Sequence, residues 1–69
     1  MKRYKVRDIL KILRKDGWVL LRTKGSRFQF AHPLKKGLVT VSFHSANDDL
    51  HPRVAKSIFN QAGIESGEE

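Results

Sequence analysis

Cysteine is absent from the 69 residues, which excludes both a disulfide framework and a thiolate metal site. Proline occurs only at Pro33 and Pro52, and tryptophan and tyrosine once each. No linker, repeat or low-complexity segment is visible. No apolar run approaches the roughly 20 residues that a membrane span requires, and no signal-peptide pattern opens the sequence. A soluble, cytoplasmic protein with no membrane partner is the expectation. Acids are scarce before residue 65: Asp8, Asp16, Asp48 and Asp49 face all 14 Lys and Arg, leaving 14 − 4 = +10 on this part. Glu65, Glu68 and Glu69 then bring the net charge to +7.

A chain of this length is one small domain, near the lower limit for folding without a staple. The reading is a single domain over residues 1–64 and an acidic, solvated tail over residues 65–69. A surplus of cations on so small a body suits a polyanion, with nucleic acid the first candidate. An acidic protein partner is a further possibility. A small core also leaves room for a partner or a second copy to complete it.

Val6, Ile9, Leu10 and Leu13 fall at i, i+3, i+4 and i+7, the stripe of an amphipathic helix over about residues 5 to 16, with Gly17 as its stop. Residues 18–23, from Trp18 to Thr23, are rich in strand formers. Lys24-Gly25-Ser26 is a turn in which Gly25 can take positive φ. Arg27 to His32 alternates, with Phe28 and Phe30 on one side, and Pro33 ends the pairing. After a turn at Leu34-Lys35-Lys36-Gly37, the stretch Leu38 to His44 makes a third strand. Val39, Val41 and Phe43 share one face of it. A loop follows, and a second helix starts at Pro52, carries Val54, Ala55, Ile58, Phe59 and Ala62 as its apolar stripe, and stops at Gly63. The predicted fold class is α+β in the order αβββα. The helices' single apolar stripes place both on one face of a three-stranded antiparallel sheet.

The other face then shows Arg27, Gln29, Thr40, Ser42 and His44, with Arg22, Lys24, Lys35 and Lys36 in or beside the loops. Guanidinium grips phosphate with a planar fork, and small polar neighbours suit a nucleic-acid backbone. A wet, merely polar sheet face is the plain alternative for Thr40 and Ser42, and solubility is the plain one for Lys35 and Lys36. Of the three histidines, His44 is the candidate for chemistry. His32 suits a structural hydrogen bond, and His51 a helix N-terminus. There is no glycine-rich phosphate loop, no nucleophile elbow and no ligand cluster at metal spacing, so neither cofactor nor metal is expected.

The segments Lys11–Trp18, Thr23–Pro33, Val39–Ser45 and Ile58–Ile64, in this order, resemble the HicA family of toxin ribonucleases. The resemblance covers about residues 6 to 64. It implies a fold similar to the double-stranded-RNA-binding fold and a ribosome-independent mRNA endonuclease activity. It also implies a HicB-like antitoxin that binds the toxin and covers its site in a hetero-oligomeric complex. In that family the catalytic histidine typically follows the Gly-Gly or Gly-Ser turn. That turn corresponds to Gly25-Ser26 here, and the next residue is Arg27. Arginine cannot act as a base near neutral pH, although it can neutralise charge on a phosphorane. The candidate catalytic residues are therefore Arg27, at the family position, and His44. The candidate RNA-binding residues are Arg22, Lys24, Gly25, Ser26, Gln29, Lys35 and Lys36. Three accounts of Arg27 stand open: cleavage by another group, loss of cleavage with RNA or partner binding kept, or a substitution that quenches a toxic activity. The alternative function is a non-catalytic RNA-binding or regulatory module on the same scaffold.

Overall fold

The computed structural model describes residues 3–64, so the tail at 65–69 lies outside the described residues. Along the chain run β1 (Tyr4–Lys5), α1 (Val6–Asp16), β2 (Val19–Lys24), β3 (Arg27–Ala31), β4 (Val39–Ser42), β5 (Asp49–Leu50) and α2 (Pro52–Ala62). Strands β2, β3 and β4 form an antiparallel sheet in that order, and with the two helices they give the expected α+β fold.

An isolated helix of 11 residues is marginal in water, so α1 depends on what it buries. Val6, Ile9 and Leu13 are fully buried, and each such side chain contributes about 1.5–3 kcal/mol. Gly17 closes the helix with φ 109°, where its N–H donates to Arg14 O (3.1 Å) and the N–H of Trp18 to Leu13 O (2.9 Å). A Cβ at Gly17 would lie 2.7 Å from His32 Nε2, so glycine is required here twice over. Helix α2 is capped at its start by His51, whose Nδ1 accepts the Arg53 N–H (3.1 Å), and stopped by Gly63 at φ 66°. Val6, Ile9 and Leu13 of α1 and Ala55, Ile58, Phe59 and Ala62 of α2 join Trp18, Phe30, Val39 and Val41 in one core, whereas Val54, expected in the second stripe, lies exposed in the first turn of α2.

One part of the architecture departs from the sequence reading. Tyr4 and Lys5 pair with Leu50 and Asp49 in a two-stranded antiparallel ladder, where only a loop was expected at residues 45–49. The first turn of α1 completes the joint. The N–H groups of Val6 and Arg7, which have no partner within the helix, donate to Asp48 O and Ala46 O (both 2.9 Å). The Arg7 guanidinium donates to Asn47 Oδ1 (3.2 Å), and Lys5 Nζ lies 3.3 Å from Asp49 Oδ1.

Candidate functional site

A β-bulge decides what the sheet presents on its open side. Leu20 stands opposite Phe30, but Arg22 stands opposite Gln29, so Leu21 is an extra residue in β2. Cross-strand partners share a face, and Phe30 is buried. Leu20 therefore belongs to the core side, whereas Arg22 and Lys24 have moved to the side of Gln29 and Arg27. Without the bulge, strict alternation would have put Leu20, Arg22 and Lys24 together on the core side. The register produces two polar rows across the sheet: Arg22, Gln29 and Thr40 in one, and Lys24, Arg27 and Ser42 in the other. All six are exposed or half-buried, and the three cations have no acidic partner among the described residues.

Gly25 and Ser26 form a two-residue hairpin loop between Lys24 and Arg27. Gly25 has φ 59°, the positive value that the first position of a type II′ turn demands. This hairpin sets Arg27 at the start of β3, opposite Ser42. The N–H of Phe43 donates to Ser26 O (3.0 Å), and the Phe43 ring stacks on Phe28 at 4.3 Å. His44, exposed, comes next in the chain, two residues beyond the partner of Arg27. The strand itself ends at Ser42, earlier than the expected His44. A flat face with three cations, hydroxyls and an amide, flanked by a histidine, offers fixed positive charge and hydrogen-bond donors to an anionic, extended ligand.

The family model for the HicA toxin of bacterial toxin–antitoxin systems matches residues 6–64. The chain belongs to the HicA toxin family. It is a toxin of a toxin–antitoxin module, and the membership points to an antitoxin as its partner. No match to an individual curated protein accompanies the family match. No helix of this HicA toxin among the described residues is long and apolar enough to cross a membrane.

Of the remaining site candidates of the toxin, Lys35 is employed elsewhere, in a corner built around His32. His32 Nδ1 accepts the N–H groups of Leu34 (3.0 Å) and Lys35 (3.1 Å). The proton therefore sits on Nε2, which donates to Asp16 O (2.8 Å). The ring meets Trp18 edge-on at 5.1 Å. His32 thus ties the end of α1 to the turn after β3. Lys35, a sequence candidate for binding, extends the same joint: Nζ lies 2.6 Å from Asp16 Oδ2 and donates to Ala62 O at the end of α2 (3.0 Å). Lys36 is exposed in the same connection. The structure therefore brings Arg22, Lys24, Arg27 and Gln29 into one surface and gives Lys35 to a structural corner. The signal for the bulge was present as Val19-Leu20-Leu21-Arg22, three apolar residues in succession that interrupt a period of two.

The corner predicts a pH effect. The Lys35 ammonium, through its hydrogen bond, holds the Asp16 carboxyl below its usual range, with the Trp18 indole N–H and the His32 ring adding to the effect against a smaller opposing desolvation. A carboxylate with a depressed pKa stabilises the fold fully above its unfolded value of about 4 and loses that contribution as pH falls through the lower folded value. Urea titrations of the wild type and Asp16→Asn are expected to differ at neutral pH and to converge as the pH drops below about 4. A gap that stayed constant down to acid would remove the carboxylate from the account.

Proposed function

We propose that the open face of the sheet binds RNA, and that the toxin is a ribosome-independent, metal-independent mRNA endoribonuclease held in check by a HicB-like antitoxin. The observation that carries the reading is the bulge at Leu21, which gathers Arg22 and Lys24 beside Arg27 over Gln29, Thr40 and Ser42. Phosphates would lie along the two rows. The 2′-hydroxyl next to the scissile phosphate is the nucleophile: its oxygen attacks phosphorus, the bond to the 5′-oxygen breaks, and a cyclic phosphate remains. His44 takes the 2′-hydroxyl proton, and water supplies one to the departing 5′-oxygen. Arg27 faces the charge that develops on the phosphorane, a task for a permanent cation. Gly25 and Ser26 let the backbone of the turn come close to the strand. In this reading the antitoxin acts by covering the same face.

The test is RNA binding and cleavage measured together over a salt series. Three phosphate contacts predict a slope of log K against log salt of about −2 for single-stranded RNA. Arg22→Gln, Lys24→Gln and Arg27→Gln combined should flatten it and abolish cleavage. Binding that ignores salt would sink the polyanion reading.

Arg27 itself favours a second reading, a non-catalytic RNA-binding module, because it stands where the family's base is expected and cannot take up a proton. Its mark is salt-sensitive binding with the bound RNA left intact.

A further inference from the structure

Strand β2 is the outer strand of its sheet, and all six of its residues are exposed. No described residue outside β3 hydrogen-bonds to it. Its first half carries three large apolar side chains in succession, Val19 62%, Leu20 49% and Leu21 51% exposed. The register points Leu20 to the core side and Val19, opposite Ala31, to the open side, so apolar surface is offered on both faces of the edge. Edge strands are normally blunted by charge, proline or a bulge. Here the charges of Arg22 and Lys24 guard the second half, and the bulge at Leu21 marks the boundary. No charge or proline stands at Val19, Leu20 or Leu21, and no described residue covers them from outside the sheet. The opposite border of the sheet is treated differently: β4 lies against α2, where Gln61 Oε1 approaches the Thr40 N–H at 3.5 Å.

We infer that the free edge of β2 takes up an extended segment of the antitoxin, one that carries apolar side chains against Val19, Leu20 and Leu21 and acidic ones against Arg22 and Lys24. The inference rests on the antitoxin reading above and adds where and how that partner docks. RNA does not fit this edge, since isobutyl and isopropyl groups give phosphate nothing and unpaired backbone N–H and C=O groups match another polypeptide strand. A second copy fits poorly, because each chain carries +7 and would bring its own cations to the seam. An acidic partner strand satisfies the backbone, covers the apolar run and neutralises the guarded half together. Because Arg22 and Lys24 also belong to the two polar rows, a strand seated here occupies the margin of the RNA face directly.

The experiment uses the full toxin and the protein encoded by the reading frame beside its own. Amide exchange at residues 19–24 is followed free and in the complex, and affinity is compared for the wild type and Val19→Thr/Leu20→Thr, which keeps strand-forming residues. The expected result is slower exchange along β2 and a loss of about tenfold or more in affinity, with RNA binding by the variant unchanged. A complex that leaves exchange at residues 19–24 as it was, or binds the variant equally well, overturns the inference and leaves the antitoxin reading intact. If protection of β2 instead rises with the concentration of toxin alone, a second copy is the occupant and the inference fails. No complex at all removes the antitoxin reading and this inference with it.

Discussion

Trp18→Ala is expected to leave the protein largely unfolded at ordinary temperatures. The indole is buried to 2% exposure, its Nε1–H donates to Asp16 Oδ2 (3.2 Å), and its ring packs against His32. Truncating a buried aromatic of this size costs about 3–5 kcal/mol. A 69-residue chain has a total stability of about 3–10 kcal/mol, by the general scale of about 0.05–0.15 kcal/mol per residue. The loss is thus comparable with everything the fold has. Trp18→Phe keeps most of the volume and should forfeit mainly the indole hydrogen bond, about 1 kcal/mol. Circular dichroism during urea unfolding is the suitable measurement, because Trp18 is the only tryptophan and both variants remove its fluorescence. If Trp18→Ala unfolded cooperatively within about 1 kcal/mol of the wild type, the corner would not be structural.

The second large effect concerns the chemistry proposed for His44 and Arg27. His44→Gln should lower RNA cleavage by about 10²- to 10⁴-fold, the usual contribution of a positioned acid or base. The amide retains hydrogen bonding and roughly the same reach, so RNA binding should change little. Arg27→His restores a titrating group after the Gly25-Ser26 turn and should raise cleavage, by about a hundredfold on the same scale, while reducing the salt sensitivity of binding by about one contact. Single-turnover cleavage with saturating toxin separates the two effects. If neither the wild type nor Arg27→His cuts RNA that both bind, the enzyme reading falls and the binding module stands.

Much of the fold was legible because its signals are local. The apolar stripe of Val6, Ile9 and Leu13, the glycine stops at Gly17 and Gly63, and Pro52 at the first turn of α2 each act within a few residues. The helices consequently end where the sequence reading put them. The glycine turn at Gly25 likewise marked the hairpin between β2 and β3. What escaped was non-local. Tyr4–Lys5 and Asp49–Leu50 are strands of two residues, too short for any periodicity, and each exists only because the other is there. The bulge is a relation between β2 and β3, and reading β2 alone leaves the side of Arg22 undetermined. Lys35 looked like one more lysine in a hairpin turn, and its partners Asp16 and Ala62 come from two other elements. At the candidate site, residue types were readable as an inventory of charge, whereas their grouping into one surface depended on a single extra residue.

The joint between β1, β5 and the first turn of α1 bears on how the chain moves. Lys5 and Asp49 are separated by 44 positions, and closing so long a loop is entropically slow compared with forming either helix. The segment this joint holds, Ser45 to Asp49, directly follows His44 and is fastened by the backbone donors of Val6 and Arg7. Residues Tyr4 to Arg7 therefore anchor the segment that follows the proposed base. Opening the ladder would also bare the Tyr4 ring, which is buried edge-on against Phe59 at 5.3 Å, so this two-residue strand closes the core under α2 as well as the sheet edge.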